Sequence, residues 1–361
     1  MGTLLEIIRD EIHKSGVLPF ARFMELALYC PDCGYYETKK DIGRHGDFFT
    51  SVSVGPLFGE LLARQFAAWL EEMSASGRGL KIMEAGAHDG RLAADILNWL
   101  QLHRPKLFPE IEYVILEPST RRRGWQKETL QDFVPRIRWV SDFQVMAGRD
   151  SAGPEFHGII FSNELLDAFP VHRFGWDAQN RTWFEWGVTS EGDNFVWMRI
   201  KNSEFSVQNS ELETALPDGY IVETCPGAEN WWRQAARVLT GGRLLAIDYG
   251  FTDSELFSPA RSRGTLRAYF RHQVADDLLA NPGRQDLTAH VNFSAIQKAG
   301  EAAGLKTDFF GSQAKFLTGI LENTIKAGAL GGWTPKLARQ FQTLTHPEHL
   351  GRAFRVLVQS R

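Results

Sequence analysis

The sequence lacks an excess of charge of either sign, and it lacks a long uncharged apolar run. Its 40 Lys and Arg residues nearly balance 44 Asp and Glu residues, which leaves a formal net charge of -4 over 361 residues. No uncharged stretch approaches the ~20 residues that span a bilayer. Residues 1–13 carry acids where a signal peptide has a basic n-region. With 43% hydrophobic residues, the composition indicates neither a disordered chain nor a polyanion-binding surface. We therefore expect a cytoplasmic protein with no nucleic-acid partner and no membrane partner.

Cysteine is also scarce in this chain. Two of the three cysteines form the motif Cys30-Pro31-Asp32-Cys33. No second pair and no nearby histidine ligand pattern accompany this motif, so it does not predict a zinc site. We interpret Cys30 and Cys33 as two reduced cysteines in a turn, and we predict no metal site.

The length corresponds to roughly two average domains of about 150 residues, or to one large domain with insertions. Apolar residues at helical spacing, with stops at glycine and proline, predict an N-terminal helical segment over residues 1–75. From residue 76 to residue 361, apolar runs alternate with helical patterns. This alternation predicts an α/β domain built around a parallel sheet.

Three insertions interrupt the alternating pattern. Aromatic and polar residues alternate across turns at about 171–222, which predicts a β-meander. Residues 251–290 are polar and marked by glycine, so we expect a long loop that serves as a lid or substrate wall. The pattern of residues 312–350 predicts a helical insertion. The meander contains four tryptophans that either line a binding wall or form its small core: Trp176, Trp183, Trp186 and Trp197.

Residues 80–92 predict a strand, a glycine loop and the start of a helix. Gly86 and Gly90 let the backbone approach a ligand, and the amides of the helix start favour electron-rich groups. The loop lacks the full G-x-G-x-x-G pattern, because His88 and Asp89 occupy positions where a phosphate-binding loop has small residues. A nucleoside without a phosphate therefore fits better than a dinucleotide, which argues against a nicotinamide oxidoreductase.

Polar residues close four successive predicted strands, namely Glu84, Glu117, Asp142 and Asn163. Ligands of parallel α/β sheets bind beyond the carboxyl ends of the strands, so these side chains predict a ligand edge. Glu84 could bind a charged amino group, and the carboxylate of Glu117 could accept both hydroxyls of a ribose.

The fourth strand runs into the acidic stretch 163–170. If a helix begins here, Glu164 and Asp167 share one face and point over the sheet edge. The alternative is that the two carboxylates only complement a helix N-terminus. Further along, Gly241-Gly242 is expected to end a helix before a fifth strand over residues 243–250, which carries Asp248 near its tip.

The order of these elements resembles the class I S-adenosylmethionine-dependent methyltransferase fold, a Rossmann-like α/β fold with a seven-stranded sheet. Six further motifs resemble the MidA family, which includes a mitochondrial arginine methyltransferase needed for respiratory complex I assembly. They are Phe23-Met24-Glu25 with Gly34-Tyr35-Tyr36, Gly46-Asp47-Phe48-Phe49-Thr50-Ser51, Asn163-Glu164-Leu165-Leu166-Asp167-Ala168-Phe169-Pro170, Asp248-Tyr249-Gly250, Gly264-Thr265-Leu266-Arg267 and Asp286-Leu287-Thr288-Ala289-His290-Val291-Asn292-Phe293.

This resemblance implies S-adenosyl-L-methionine as the cofactor, and it implies two sets of site residues. The expected cofactor-binding residues are Glu84, Gly86, His88, Asp89, Gly90, Glu117, Asp142, Phe143, Asp47 and Thr50. The expected catalytic residues are Glu164, Asp167, Asn163, Asp248 and His290.

The chain departs from the family pattern in the glycine loop. The family has Glu-Leu-Gly-Pro-Gly-x-Gly, whereas Ala87 replaces the proline here and His88 replaces the middle glycine. The outer glycines and the acid are present, so we expect cofactor binding to be retained. The bulky His88 is expected to tilt the methionine moiety or to contact the substrate, and a different methyl acceptor is plausible.

The expected chemistry is in-line displacement at the sulfonium methyl group, in which the protein positions a nucleophile and removes its proton. For a guanidinium acceptor, Glu164 and Asp167 would hold two nitrogens, with Glu223 as a further carboxylate. For a hydroxyl or carboxylate acceptor, His290 or His88 would be the better base.

Three functions therefore remain open. They are a methyltransferase that acts on a protein side chain such as arginine, a small-molecule O- or N-methyltransferase, and a non-catalytic assembly protein with the same fold. The oligomeric state cannot be read from the sequence.

Overall fold

The strands of the protein form one large sheet and two smaller ones. The computed structural model describes residues 3–40, 50–74, 79–144, 156–200, 216–271, 273–329 and 331–361. Within these residues the strands are β1 (Leu18–Pro19), β2 (Leu80–Ala85), β3 (Ile111–Leu116), β4 (Ile137–Val140), β5 (Phe156–Asn163), β6 (His172–Asp177), β7 (Thr182–Glu191), β8 (Asn194–Ile200), β9 (Ile221–Thr224), β10 (Leu239–Phe251), β11 (Arg267–Phe270), β12 (Gln273–Ala275), β13 (Asp286–Thr288), β14 (Val291–Asn292), β15 (Lys306–Ser312) and β16 (Phe354–Ser360).

The large sheet has the order β15-β16-β10-β5-β2-β3-β4, and β14 adds to the end of β10. Strands β2, β3, β4, β5 and β10 run parallel, whereas β16 runs antiparallel between β10 and β15. This arrangement confirms the predicted Rossmann-like α/β sheet. The carboxyl ends of β2, β3, β4 and β5 meet at one edge, where the predicted ligand residues lie.

Both faces of the large sheet are covered, as parallel sheets require. Side chains alternate along β5, so that Ile159 and Phe161 are buried in one core and Ile160 is buried in the other. In β2 the same alternation places Ile82 in the first core and Met83 in the second. The continuous apolar runs of the sequence are therefore explained by burial on two faces.

The helices occur mainly as crossovers between strands and as the N-terminal and C-terminal additions. They are α1 (Leu4–Ser15), α2 (Phe20–Tyr29), α3 (Tyr35–Thr38), α4 (Leu57–Ser74), α5 (Arg91–His103), α6 (Thr120–Thr129), α7 (Pro226–Val238), α8 (Asp253–Leu256), α9 (Phe293–Ala302), α10 (Gln313–Lys326), α11 (Pro335–Thr345) and α12 (Leu350–Ala353). Ser119 caps α6, since its hydroxyl accepts a hydrogen bond from the amide of Arg122. No helix in the described part of the chain is both long and apolar enough to cross a membrane.

The N-terminal helices pack against the inserted β-meander. Strands β1, β7, β6 and β9 form a sheet with β8 on β7, and Leu18 of β1 pairs with Val188 of β7. Phe20 and Phe23 of α2 are fully buried in a core that also contains Val188 and Leu287. The N-terminal segment and the insertions thus share one hydrophobic core.

The tryptophans of the meander are packing residues. Trp176 and Trp183 are buried in a small core, and the ring of Trp197 lies 5.0 Å from that of Phe20. Trp186 packs edge-on against Trp197. This arrangement supports the small-core interpretation over a binding wall.

Cys30 and Cys33 also match their interpretation as reduced cysteines in a turn. Both are free, and their sulfur atoms lie 2.9 Å apart just after α2. Across the described ranges, the His, Cys, Asp and Glu side chains form no group of three or more that could hold a metal ion.

Two local predictions are wrong. Gly241 and Gly242 do not end a helix, because α7 ends at Val238 and both glycines lie inside β10. Gly242 has φ +125°, and a Cβ atom there would overlap the carbonyl oxygen of Gly158 in the neighbouring strand. Residues 251–290 are not an irregular loop, since they contain the three-stranded sheet β12-β11-β13.

Candidate active site

A cavity of about 1100 Å³ opens at the carboxyl ends of β2, β3, β4 and β5. Its wall includes eight of the ten predicted cofactor-binding residues, together with residues of the N-terminal segment. The eight are Glu84, Gly86, His88, Asp89, Glu117, Asp142, Phe143 and Thr50. Asn163 and Glu164 also line it, while Asp47 lies outside the described residues.

The glycine loop between β2 and α5 turns by means of three left-handed residues. These are Gly86 (φ +75°), His88 (φ +44°) and Gly90 (φ +88°). Gly90 does not line the cavity but precedes α5, and a Cβ there would press on the side chain of Leu130. His88 is therefore a non-glycine residue in a conformation that costs ~1 kcal/mol or more.

The side chain of His88 connects the loop to the N-terminal segment. Its Nε2 lies 2.9 Å from the carbonyl oxygen of Lys40, and its ring packs edge-on against Trp125 at 6.0 Å. Burial lowers the pKa of His88, which favours the neutral imidazole. These contacts hold the ring in one orientation within the cavity wall.

Glu84 is buried at the end of β2, with 3% of its surface exposed. The hydroxyl of Tyr113 donates a 2.7 Å hydrogen bond to its Oε2. Burial raises the pKa of Glu84 to about 8, and the nearby Asp89 and Asp95 add to this effect. A cation bound beside Glu84 would stabilise the ionised carboxylate.

Glu117 is held at the end of β3 by several donors. Its Oε1 accepts hydrogen bonds from the amide of Ser119 (2.9 Å) and from Nε of Arg122 (3.0 Å). Its Oε2 accepts a longer bond, 3.3 Å, from Gln126. Because a carboxylate offers about four acceptor positions, Oε2 keeps capacity for hydroxyl donors of a ligand.

Asp142 and Phe143 follow β4 on the far side of the cavity. Asp142 accepts hydrogen bonds from the amide of Gln144 (2.8 Å) and the hydroxyl of Ser141 (2.9 Å). The ring of Phe143 lies 5.6 Å from that of Trp231. This corner combines a carboxylate with apolar surface, which suits an aromatic base that carries an amino group.

No α-helix begins at Glu164, so the prediction of two carboxylates on one helix face is wrong. Glu164 adopts a left-handed conformation with φ +51°, and only one 3-10 turn, Leu166–Ala168, follows. Asp248 holds this turn, because its Oδ2 accepts hydrogen bonds from the amides of Leu165 (3.1 Å) and Leu166 (2.8 Å).

The carboxylate of Glu164 is presented to the cavity with one oxygen occupied. Oε1 accepts hydrogen bonds from the amide of Ser51 (3.2 Å) and from Nδ2 of Asn163 (3.0 Å). Oε2 is buried and has no hydrogen-bond partner among the described residues. Burial raises the pKa of Glu164 to about 8. A ligand donor at this point would satisfy Oε2.

Three of the predicted catalytic residues do not line the cavity. Asp248 is fully buried and supports the turn above Glu164, and burial raises its pKa to about 7. Asp167 is buried as well, and burial together with the charge of Asp248 raises its pKa well above the usual range. His290 stacks on Phe251 at 4.7 Å, and burial lowers its pKa to about 4. The structure does not bring these three side chains to the cavity wall.

Glu223 also lies away from the cavity, although the sequence suggested it as a further carboxylate. It accepts a 2.7 Å hydrogen bond from the amide of Thr265 and forms a 3.8 Å ion pair with Arg173. Its contacts fix the chain that follows Gly264.

Sequence reasoning missed four residues that complete the cavity or support its carboxylates. They are Tyr36, Glu37, Tyr113 and Arg122. Arg122 lies one helical turn into α6, so its approach to Glu117 has a local signal in the spacing. Tyr113 and the pair Tyr36-Glu37 reach the site only through tertiary packing.

Comparison with known proteins is consistent with this geometry. A model for a family of S-adenosyl-L-methionine-dependent methyltransferases matches residues 61–311. Protein arginine methyltransferase NDUFAF7, mitochondrial, from Mus musculus is 30% identical over 319 residues, which cover 82% of this chain and 69% of the relative. The Rattus norvegicus protein of the same name is 28% identical over 382 residues, with 97% and 83% covered. The crystal structure of a COG1565 superfamily member from Burkholderia thailandensis, bound to S-adenosyl-homocysteine, is similar at a TM-score of 0.83 and 34% identity, covering 99% of this chain and 92% of that chain.

Proposed function

The chain belongs to the family of S-adenosyl-L-methionine-dependent methyltransferases, and from this premise we propose that it methylates an arginine side chain of a protein. The enzyme class and the cofactor follow from the family and from the similar structure bound to S-adenosyl-homocysteine. The acceptor and the role of each residue are the proposal.

The cavity residues fit the cofactor in their chemistry. We propose that Glu84 holds the amino group, that Glu117 accepts the ribose hydroxyls, and that Asp142 and Phe143 contact the adenine. The loop backbone at Gly86 would border the methionine moiety. Ligand cavities typically measure about 300–1,000 Å³, so a volume of about 1100 Å³ leaves room for an acceptor side chain beside the nucleoside.

The observation that carries the arginine proposal is the carboxylate of Glu164. Its Oε2 is buried without a partner in the described structure, and the residue lies in the cavity wall together with Asn163. A guanidinium group offers several N–H donors and a positive charge, so it would satisfy this oxygen and compensate the buried carboxylate.

The charge of the wall also favours a cationic acceptor. Among the described wall residues, eight carboxylates face three arginines. Each of these arginines is already in an ion pair with a wall carboxylate: Arg91 with Asp89, Arg121 with Asp32 and Arg122 with Glu117. Among the other wall carboxylates, Glu84 and Glu164 have pKa values raised to about 8, so a cationic ligand would stabilise their ionised forms.

The proposed reaction moves one methyl group and one proton. S-adenosyl-L-methionine supplies an electrophilic methyl group on a sulfonium. The acceptor nitrogen forms the new N–C bond while the S–C bond breaks with its electron pair left on sulfur. Glu164 takes the proton that the guanidinium loses, and its raised pKa makes it a stronger base than an ordinary carboxylate.

The test is to incubate the purified enzyme with methyl-labelled cofactor and a cell extract depleted of endogenous methyl groups. We expect label in protein, and we expect acid hydrolysis to release it as methylarginine. Label in small molecules would instead show a small-molecule O- or N-methyltransferase. Absence of S-adenosylhomocysteine binding by calorimetry would favour a non-catalytic assembly protein.

A cytoplasmic location is likewise a proposal. The alternative is a mitochondrial location, because the animal relatives are named as mitochondrial proteins. Fractionation of the source cells, followed by immunodetection of the protein, distinguishes the two.

A further inference from the structure

Glu37, in the short helix α3, contacts the start of α6 through three hydrogen bonds or ion pairs. The hydroxyl of Ser119 donates a 2.7 Å hydrogen bond to Glu37 Oε2. Nη1 of Arg122 lies 3.7 Å from Glu37 Oε1, and Nη1 of Arg121 donates a 2.8 Å bond to the carbonyl oxygen of Glu37. The N-terminal segment is thereby fixed to the helix that follows β3.

The same two residues, Ser119 and Arg122, also hold Glu117. The amide of Ser119 donates to Glu117 Oε1 at 2.9 Å, and Nη2 of Arg122 lies 2.9 Å from that oxygen. The side chains of Glu37, Arg122 and Glu117 are only 13%, 11% and 2% exposed. Because the group is mostly shielded from water, its charges interact more strongly than surface ion pairs do.

We propose that Glu37 is a positioning residue for the cofactor. It balances Arg122 between two carboxylates and orients Ser119, and thereby keeps Glu117 in the orientation that accepts the ribose hydroxyls. This inference rests on the proposed contact between Glu117 and the ribose. It assigns a part of the cofactor site to Glu37, which lies outside the residues 61–311 that match the family model.

Tyr36, which directly precedes Glu37 in the chain, lies on the side of the cavity proposed to bind the methyl acceptor. The hydroxyl of Tyr36 donates a 2.9 Å hydrogen bond to Asp286, and the ring of Tyr36 stacks on Tyr29 at 5.5 Å. Both tyrosines line the cavity. The short segment with Tyr36 and Glu37 therefore borders both the proposed cofactor side and the proposed acceptor side of the cavity.

The test measures the affinity of the full chain for two ligands by calorimetry. One ligand is S-adenosylhomocysteine, and the other is its 2′,3′-dideoxy analogue, which lacks both ribose hydroxyls. Glu37→Gln should bind S-adenosylhomocysteine about tenfold more weakly than the unmodified enzyme, as expected for the loss of one charged hydrogen bond. Its affinity for the dideoxy analogue should be unchanged, and Glu37→Asp should recover part of the loss.

The matched control is Glu128→Gln. Lys40 and Glu128 form an exposed 2.6 Å ion pair between the same N-terminal segment and α6, but Glu128 does not line the cavity. This control should bind both ligands as the unmodified enzyme does. Thermal unfolding of each variant checks that the fold is intact.

The outcomes separate the inference from the proposed function. An equal loss for both ligands in Glu37→Gln, or no loss for either, would overturn the positioning role. Glu117→Gln should also lose affinity only for the ligand that has the hydroxyls. If it binds both ligands normally, the placement of the ribose fails, and the inference fails with it.

Discussion

The two sides of the cavity hold their carboxylates in opposite ways. On the cofactor side, Glu117 is paired with Arg122 and accepts the amide of Ser119. On the proposed acceptor side, Glu164 is half-buried and Asp248 is fully buried, and in the described ranges neither has a Lys or Arg within ion-pair distance. Burial raises the pKa of both, to about 8 and about 7. Glu117 is thus electrostatically complete without a ligand, whereas the carboxylate of Glu164 needs a proton or a cationic ligand.

Replacing Glu164 with Gln tests this contrast with the largest expected effect. The amide keeps the size of the side chain but removes the base, so methyl transfer into protein should fall at least about 100-fold. Affinity for S-adenosylhomocysteine should stay within about twofold. Both quantities can be measured on one preparation, by label incorporation and by calorimetry.

The pH dependence of turnover sharpens the same test. Only the ionised carboxylate can accept a proton, and the pKa of Glu164 is raised to about 8. Turnover of the unmodified enzyme should therefore rise as the pH increases toward 8, and the residual turnover of the variant should not. Normal turnover in Glu164→Gln with intact cofactor binding would remove this residue from catalysis.

A smaller effect is expected at Glu84, where a change of pH should reversibly change the affinity for the cofactor. Its pKa is raised to about 8, while a cationic amino group favours the ionised form. Affinity for S-adenosylhomocysteine should therefore increase between pH 6 and pH 7.5, by at most about tenfold per pH unit.

The variant Glu84→Gln cannot ionise, so it should bind more weakly at pH 7.5 and show a flatter pH profile. Calorimetry across this range measures both properties. A variant with the same slope as the unmodified enzyme would mean that another group titrates.

His290 should give the smallest effect, although the sequence suggested it as a base. It packs between Phe251 and Tyr249, outside the cavity wall. His290→Asn should change turnover by less than about twofold, with a modest change in thermal unfolding. A tenfold loss of turnover in a folded variant would instead show that His290 takes part in methyl transfer.

The position of the proposed cofactor residues at one edge of the sheet was largely predictable from the sequence, because it follows from local pattern. Glu84, Glu117 and Asp142 each close an apolar strand, and parallel strands bring such ends to one edge. The sequence also predicts the glycine loop after β2. In this loop His88 has φ +44°, which is allowed although unfavourable for a residue with a side chain.

The acceptor side was less predictable, because long-range contacts override local pattern there. The spacing of Glu164 and Asp167 suits a helix, but only a 3-10 turn forms there, and it is held by Asp248, more than eighty residues later in the chain. The sequence predicts a helix stop at Gly242, whereas the structure places this glycine where β10 approaches β5 too closely for a side chain. The support of Glu117 by Glu37 likewise depends on packing between distant parts of the chain.

The most direct measurement is a crystal structure of the protein with S-adenosylhomocysteine. We expect the ribose hydroxyls to donate hydrogen bonds to Glu117, the amino group to lie beside Glu84, and the sulfur to be directed toward Glu164. A nucleoside bound away from the ends of β2, β3 and β4, or a Glu117 that touches no ligand atom, would contradict this expectation.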